Sequence, residues 1–218
     1  MKNSEAKVTF RSGLLQLEGL LTTPVGGGPF PAVLICHPHP SFGGSMDNTV
    51  VRSISDGLLK KSITTLRFNF RGVGKSEGSF GHGAGEQEDV EAAVSFLVAE
   101  KQVDRRRVGL AGYSAGAVFG VPVAVRDRRV RALAAISLPL GMMDLEPVRI
   151  SPKPKLFASG SKDDFASVEE LTKFCQSCVE PKECDIVEGA DHFWKGYEAA
   201  LSRTVGDFLR RALARQDK

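Results

Sequence analysis

The feature that most constrains the fold of this chain is the alternation of short apolar runs with segments of helical periodicity. Residues 32–36 form a continuous apolar run, as expected for a strand that is buried on both faces of a sheet. Residues 86–100 place apolar side chains at the spacing of one helix face. Two runs near the start of the chain, at 8–10 and 14–21, indicate an antiparallel hairpin. Two strands followed by repeated strand–helix units predict an α/β protein with a mostly parallel, twisted sheet of about seven to eight strands and helices on both faces.

The same patterns assign the rest of the chain. Further strands are predicted at 63–68, 107–111, 132–136, 155–159 and 184–187, and further helices at 48–60, 114–125, 167–177 and 195–215. No repeat divides the sequence, so we predict a single domain over residues 1–218. In a mostly parallel sheet, ligands bind outside the carboxyl ends of the strands. Chemically active residues are therefore expected directly after the predicted strands.

The pentapeptide at 112–116, Gly-Tyr-Ser-Ala-Gly, follows a predicted strand and opens a predicted helix. This is the G-x-S-x-G pattern of a nucleophile elbow in the context that it requires. A sharp turn lifts the serine hydroxyl above the sheet, and side chains two positions away on either side would clash, which favours glycine there. The helix N-terminus also aims backbone N–H groups at the same point. We predict that Ser114 is a nucleophile.

A serine nucleophile needs a general base, and the base needs a carboxylate that orients it. The chain has four histidines, at positions 37, 39, 82 and 192. In proteins with this elbow, the acid and then the base follow the nucleophile along the chain. His192 is the one histidine after Ser114, and it comes directly after the last predicted strand. We therefore predict that His192 is the base.

Candidates for the acid follow the predicted strand at 155–159. Asp163 and Asp164 are adjacent there, and because neighbouring side chains point apart, only one of them can reach the imidazole. Asp191 is expected to cap the last helix or the turn before it, and Asp144 is a remote alternative. The residues by themselves leave Asp163 and Asp164 open.

An acyl-transfer site also needs backbone donors for the oxyanion that develops in the transition state. One predicted donor is the N–H of Ala115, the residue after the nucleophile. The second should come from the loop after the strand at 32–36, where Pro38 and Pro40 have no N–H. His39 and Ser41 are the nearest candidates, and we choose His39.

Two further motifs suggest a metal or nucleotide site instead. His37 and His39 form an H-x-H pattern that occurs in metal-dependent hydrolases, but only His82 remains nearby as a further histidine ligand. The segment at 72–76, Gly-Val-Gly-Lys-Ser, resembles the end of a phosphate-binding loop, but Asn69 stands where that loop needs its first glycine. We predict no metal and no cofactor.

Composition argues against several classes of partner. The 29 basic and 26 acidic residues give a net charge of +3, which is too balanced to predict binding to nucleic acid or to a membrane. The sequence contains no run of the roughly 20 apolar residues that a membrane span needs. It also has no apolar segment near its start that is typical of a secretory signal. The four cysteines, at 36, 175, 178 and 184, are expected to be buried or half-buried free thiols of a cytoplasmic protein.

Longer stretches of the sequence resemble the α/β-hydrolase superfamily over nearly the whole chain. They are His-Pro-His-Pro-Ser-Phe-Gly-Gly-Ser-Met-Asp-Asn at 37–48, Arg-Phe-Asn-Phe-Arg-Gly-Val-Gly-Lys-Ser-Glu-Gly at 67–78 and the helix start at 85–89. They are similar to small, capless, bacterial-type hydrolases related to dienelactone-hydrolase-like and cutinase-like esterases. The resemblance implies a Ser-Asp-His triad, no cofactor and esterase activity. Position 114 holds serine, where dienelactone hydrolases have cysteine.

The resemblance also bears on the acid and on the shape of the site. The G-x-x-D spacing from Gly160 to Asp163 is similar to that of hydrolases with this strand-end loop, so the resemblance favours Asp163 over Asp164. A cap domain of this fold would insert between the predicted strands at 132–136 and 155–159, but only about eighteen residues lie there. We therefore expect an α/β-hydrolase fold with an open site and no cap domain.

We predict an apolar substrate pocket around Ser114. Its expected lining residues are Phe42, Tyr113, Leu138, Met142, Met143 and Phe193, to which Leu140, Phe80 and Phe119 can add. The predicted function is that of a serine carboxylesterase, which cleaves short- to medium-chain esters of small molecules through an acyl-enzyme. The alternatives are a thioesterase or peptidase with the same triad, or a ligand-binding protein of this fold with little turnover. The oligomeric state is left open.

Overall fold

The computed structural model describes residues 3–214. The strands are β1 (Ser4–Ser12), β2 (Leu15–Thr23), β3 (Phe30–Cys36), β4 (Thr64–Phe68), β5 (Val103–Tyr113), β6 (Val130–Ile136), β7 (Lys155–Lys162) and β8 (Lys182–Asp191). Among the described residues these eight strands form one sheet in the order β1-β2-β4-β3-β5-β6-β7-β8. β2 is antiparallel to both of its neighbours, and every other adjacent pair is parallel.

Helices connect the parallel strands. They are α1 (Thr49–Leu59), α2 (Ala84–Ala99), α3 (Ala115–Arg126), α4 (Glu146–Arg149), α5 (Val168–Ser177) and α6 (Glu198–Ala212). Two short 3-10 turns, Pro40–Phe42 and Leu140–Met142, lie in the loops after β3 and β6. No helix in this part of the chain is long and apolar enough to cross a lipid bilayer.

The sheet separates two apolar cores. Side chains alternate along β3: Val33 and Ile35 pack on the side of α1 and α6, whereas Leu34 and Cys36 pack on the side of α2, α3 and α5. The side chains of β3 from Ala32 onward are completely buried. Burial of both faces explains why the sequence of β3 is a continuous apolar run rather than an alternating one.

The predicted fold class is confirmed, and each predicted strand and helix is present. The largest boundary differences are four positions: β1 and β5 begin that far before the predicted residues 8 and 107, and β8 ends that far after the predicted residue 187. The last helix begins at Glu198 instead of 195. The chain turns before α6 because Trp194 and Gly196 have positive φ angles of 59° and 83°. The predicted end of this helix, at 215, lies outside the described residues.

The connection between β6 and β7 is short, as expected for a hydrolase fold without a cap. Residues 137–154 contain the 3-10 turn Leu140–Met142 and the one-turn helix α4. Val148 of α4 is buried in the core on the side of α3 and α5. The connection is therefore a short surface loop with no cap domain in it.

The four cysteines are free thiols. Cys36, Cys175 and Cys178 are buried, as expected, but Cys184 is exposed. Cys184 lies on β8, the outer strand of the sheet, where part of the side-chain surface has no covering layer. In residues 3–214, no group of three or more histidine, cysteine, aspartate or glutamate side chains is arranged to hold a metal ion.

Candidate active site

Ser114 occupies a sharp turn between β5 and α3. Its backbone has φ 54° and ψ −122°, a conformation that is unfavourable for a residue with a side chain. The turn is held in place because the Ser114 N–H donates to the carbonyl of Ile136 at 2.9 Å, at the end of the neighbouring strand β6. The surrounding sheet thus holds the serine side chain at the carboxyl edge of the strands.

Close backbone contacts explain the two glycines of the pentapeptide. A Cβ on Gly112 would lie 2.6 Å from the Cα of Ala117, and a Cβ on Gly116 would overlap the carbonyl oxygen of Cys36. In both cases the obstacle is backbone, which cannot move aside as a flexible side chain can. Both glycines are therefore steric requirements of the turn that carries Ser114.

His192 lies in the turn after β8, beside Ser114. The Ser114 hydroxyl donates to His192 Nε2 at 2.9 Å. The hydroxyl of Tyr113 donates to the backbone carbonyl of His192 at 2.7 Å, which links β5 to this turn. The His192 side chain is almost completely buried. The ring is thus held at the serine, with its Nε2 atom free of any competing donor among the described residues.

Asp163 follows β7 and lies on the other side of the imidazole. His192 Nδ1–H donates to Asp163 Oδ1 at 2.8 Å. The same carboxylate accepts the N–H groups of Phe165 and Ala166, each at 3.0 Å, and the hydroxyl of Ser159 at 3.1 Å. The structure therefore connects Ser114, His192 and Asp163 by a continuous chain of hydrogen bonds.

The environment of Asp163 favours its charged form. Burial raises the pKa of this carboxyl, but hydrogen bonds from His192 and Ser137 lower it by more, so its pKa lies below the ordinary value. The carboxylate remains ionised near neutral pH, where it can stabilise a positive charge on the adjacent imidazole.

The other candidate carboxylates do not reach His192. Asp164 is exposed and makes no hydrogen bond to the ring, although it is adjacent to Asp163. Asp191 caps the turn after β8, because its Oδ1 accepts the N–H of Phe193 at 3.0 Å. Asp144 accepts the N–H of Glu146 at the start of α4. The structure thus selects Asp163 from the alternatives by geometry.

Sequence reasoning missed a buried support behind Asp163. Ser137, directly after β6, lowers the pKa of this carboxyl, and its hydroxyl accepts the indole N–H of Trp194 at 3.0 Å. The available signal was the position of Ser137 at the end of a strand and the position of Trp194 two residues after His192. Neither position indicates that the two side chains meet.

The proposed oxyanion donors face the same cavity as Ser114. Ala115 is the first residue of α3, and His39 lies in the loop after β3. Neither backbone N–H donates to another residue within 3–214, whereas the N–H of the alternative donor, Ser41, is taken by Nδ1 of His39 at 3.1 Å. The two unpartnered N–H groups are therefore available to a ligand.

His37 has a structural role in this loop. Its Nδ1 lies 2.7 Å from the carbonyl of Pro38, and its Nε2 accepts the N–H of Phe70 at 3.1 Å. Burial lowers the pKa of His37 to about 4, so the ring is neutral near pH 7. Both ring nitrogens are occupied, and His37 and His39 do not converge on one point as metal ligands would.

A cavity of about 450 Å³ opens in front of Ser114 and His192. Four of the six expected lining residues line it, namely Phe42, Tyr113, Met142 and Phe193, and so does the additional candidate Leu140. Phe165 also lines it and was missed; its ring centroid lies 4.6 Å from that of His192. Among the described residues that line the cavity there is one carboxylate, Glu170, and no lysine or arginine.

Two of the predicted pocket residues lie elsewhere. Leu138 is completely buried and packs in the core on the side of α2, α3 and α5, because the chain is still leaving the sheet at this point. It lines neither this cavity nor the one beside it. Met143 lines the neighbouring cavity of about 740 Å³, together with Phe80 and Phe119. Met142 lines both cavities, whereas Met143 lines only the larger one.

The sheet, the strand–turn–helix elbow and the short connection after β6 together define a capless α/β-hydrolase fold. A family model described as an alpha/beta hydrolase domain matches residues 31–215. The chain belongs to the alpha/beta hydrolase family, which confirms the resemblance drawn from the sequence.

Known proteins of similar structure and sequence agree with this assignment. An alpha-beta serine hydrolase homologue from Coxiella burnetii is 33% identical, with a TM-score of 0.81 over 95% of this chain and 97% of that chain. A serine hydrolase without a lid from Xanthomonas campestris is 27% identical, with a TM-score of 0.86 over 99% of this chain and 98% of that chain. Esterase EstD of Thermotoga maritima is 33% identical over 119 residues, which are 51% of this chain and 28% of the esterase.

Proposed function

We propose that this protein is a serine carboxylesterase that cleaves short- to medium-chain esters, with Ser114 as its nucleophile. The observation that carries the proposal is the hydrogen-bonded chain from Ser114 through His192 to Asp163, at distances of 2.9 and 2.8 Å. This chain begins at a strained turn that presents the serine hydroxyl to an apolar cavity. These are the groups that acyl transfer by a serine nucleophile requires.

In the first step, the Ser114 oxygen attacks the ester carbonyl carbon, and His192 Nε2 takes the hydroxyl proton. The carbonyl oxygen becomes an oxyanion that accepts hydrogen bonds from the N–H groups of Ala115 and His39. His192 then gives its proton to the leaving alcohol, while the Asp163 carboxylate stabilises the imidazolium. The products of this step are the free alcohol and an acyl group on Ser114.

In the second step, water hydrolyses the acyl-enzyme by the same route. His192 removes a proton from the water, whose oxygen attacks the acyl carbon, and then returns a proton to Ser114. The carboxylic acid leaves, and the serine hydroxyl is restored. The open site supports this step because water can reach the acyl group without the movement of a lid.

The lining of the smaller cavity favours an uncharged ester over a thioester whose leaving group carries phosphates. Glu170 would repel such a group, and no cation among the described lining residues would bind it. The activity in the name of the related Thermotoga protein, an esterase, also supports ester hydrolysis. A thioester that lacks charge remains compatible with the same oxyanion donors.

The test is hydrolysis of p-nitrophenyl esters across acyl lengths by the wild type and by Ser114→Ala. We expect a loss of at least about 10³-fold in kcat/KM in the variant. Ser41→Ala is the matched control, since it removes an exposed hydroxyl near the site. A fluorophosphonate should label the wild type once, and mass spectrometry should locate the label on Ser114. Equal activity of Ser114→Ala, or a label on another residue, contradicts the proposal.

A further inference from the structure

Two cavities meet at the proposed oxyanion donors. The smaller one, of about 450 Å³, and the larger one, of about 740 Å³, share three lining residues: His39, Ala115 and Met142. Ser114 and His192 line the smaller cavity and are absent from the lining of the larger one. An ester carbonyl carbon bound at Ser114 therefore lies at the junction, with one cavity on each side.

The position of His192 decides which part of an ester enters which cavity. The leaving alcohol oxygen must come within hydrogen-bond reach of His192 Nε2, because that atom supplies its proton. The alcohol therefore extends into the smaller cavity. The acyl chain is the other substituent of the carbonyl carbon, and it must point away from the imidazole, past Ala115.

We propose that the larger cavity is the acyl-binding groove and that the smaller cavity binds the alcohol. This assignment rests on the proposed function, since it requires a Ser114 acyl-enzyme. It gives the substrate class as an uncharged ester with an apolar group on each side of the carbonyl.

The groove has the shape and chemistry of a site for an alkyl chain. One wall is a stripe of α3 that continues from Ala115 through Val118 and Pro122 to Val125. These residues recur three or four positions apart, so they lie on one face of the helix. At a rise of 1.5 Å per residue, the stripe is about 15 Å long, which matches an extended chain of roughly twelve carbon atoms. The rest of the lining is also largely apolar and includes Phe80, Met143, Pro147 and Val148.

The far end of the groove is polar. Arg126 lies there, and its guanidinium donates to Glu91 at 2.6 Å and to Gln87 at 2.8 Å. An acyl chain longer than the apolar stripe would meet these polar groups and solvent. The gain in kcat/KM with each added methylene should therefore stop near the length of the stripe.

The smaller cavity, which we assign to the alcohol, is lined by apolar side chains that are themselves largely exposed to solvent. Phe42, Met142, Phe165 and Phe193 line the smaller cavity, yet each is between 57% and 77% exposed. Large apolar side chains that surround a cavity and remain exposed to this extent are typical of a binding site. They form an open rim that can cover an apolar alcohol of variable shape.

The test compares two tryptophan substitutions, each of which fills one cavity. Ala84, the first residue of α2, is exposed and lines the larger cavity, so Ala84→Trp should fill the groove. Gly141 lines the smaller cavity, and a side chain added there meets no atom within 4 Å, so Gly141→Trp should fill the alcohol site. Ala99→Trp, at the other end of α2, is the matched control because Ala99 is exposed and lines neither cavity.

Two series of esters are hydrolysed in a pH-stat: ethyl esters of acids from two to twelve carbons, and acetates of alcohols from two to eight carbons. Ala84→Trp should lower the ratio of kcat/KM for ethyl octanoate to that for ethyl acetate at least tenfold, with little change in the ratio for octyl acetate to ethyl acetate. Gly141→Trp should lower the ratio of kcat/KM for octyl acetate to that for ethyl acetate at least tenfold, with little change in the ratio for ethyl octanoate to ethyl acetate. Ala99→Trp should change neither ratio.

The opposite pattern in the two variants would reverse the assignment of the cavities and overturn the proposal. Equal effects of both variants on both series, or no effect of Ala84→Trp, would also overturn it, because the larger cavity would then not hold the acyl chain. Failure of the proposed function looks different: the wild type would hydrolyse none of the esters, or Ser114→Ala would be as active as the wild type.

Discussion

Trp194 donates its indole N–H to the hydroxyl of Ser137 at 3.0 Å, and both residues are completely buried. Both also have positive φ angles, of 59° and 48°, which residues with side chains rarely adopt. The Ser137 hydroxyl also favours the charged form of Asp163, whose pKa it lowers. The hydrogen bond between Trp194 and Ser137 therefore joins the end of β6 to the turn that carries His192.

Ser137→Ala should destabilise the protein by about 1–3 kcal/mol, because the buried indole N–H of Trp194 loses its acceptor. It should also raise the pKa of Asp163, because the carboxylate loses the Ser137 hydroxyl that favours its charged form. Urea unfolding gives the first effect, and NMR titration of the Asp163 carboxyl carbon gives the second. A merely structural role would lower stability and leave this titration unchanged.

A double-mutant cycle tests whether Trp194 and Ser137 act as a pair. Trp194→Phe removes the donor and keeps an aromatic ring. Once Ser137 is alanine, the donor has no partner to lose, so the double variant should be less destabilised than the sum of the two single variants. Strictly additive free energies of unfolding would show that the hydrogen bond contributes no coupling.

Asp163→Asn should lower kcat by about 10³- to 10⁴-fold, because an amide cannot stabilise an imidazolium and favours the wrong ring tautomer. Asp164→Asn is a matched control at the adjacent position, where the carboxylate is exposed and does not reach His192. It should retain nearly all of the activity. Comparable losses in the two variants would contradict the assignment of Asp163 as the acid.

His37 should make the protein less stable as the pH falls from 6.5 to 4. Its pKa is lowered from 6.5 to about 4 by burial, so the unfolded chain binds a proton before the folded protein does. The stabilisation is complete above pH 6.5 and is lost on the way to pH 4, by at most about 3 kcal/mol. Protonated Nε2 could no longer accept the N–H of Phe70.

This pH dependence is measured by urea unfolding between pH 7 and pH 4. His37→Gln should be less stable at pH 7 and should lack this part of the pH dependence. His82→Gln, which replaces an exposed histidine, should behave like the wild type. An unchanged slope of stability with pH in His37→Gln would mean that other groups cause the acid sensitivity.

Alanine at either glycine of the elbow should disrupt the fold. Gly112→Ala and Gly116→Ala place a Cβ against backbone atoms of Ala117 and Cys36, so we expect a loss of more than about 3 kcal/mol or insoluble protein. Gly141→Ala is the control, because its added Cβ meets nothing within 4 Å, and its effect should stay within about 0.5 kcal/mol. Soluble, stable Gly116→Ala protein with wild-type activity would contradict the steric argument.

Much of the fold and the centre of the site could be predicted because their causes are local. A parallel strand buried on both faces must be apolar at every position, as β3 is, and a helix must repeat its apolar residues every three or four positions, as α2 does. The elbow is equally local: the glycines at 112 and 116 are required by contacts that follow from the turn itself. Ser114 could therefore be singled out before the structure was known.

Contacts between neighbours in the chain do not determine which of Asp163 and Asp164 reaches His192. Both are carboxylates at the end of the same strand, and the residues alone do not say which one points at the imidazole. The positions of Leu138, which packs in the core, and of Met143, which lines the larger cavity, do not follow from local contacts either. Which way each side chain points after β6 depends on how that loop leaves the sheet, and a periodic pattern no longer applies there.

The amino-acid sequence by itself determined the strands, the helices and the strained turn at Ser114, because hydrophobic periodicity and steric exclusion act between neighbours in the chain. Only the tertiary structure decided that His192, 78 positions from Ser114 and 29 from Asp163, lies between them. It also decided that Trp194 meets Ser137 and that two cavities join beside Ala115. These relationships depend on the twist and order of eight strands, which bring distant strand ends to one edge of the sheet.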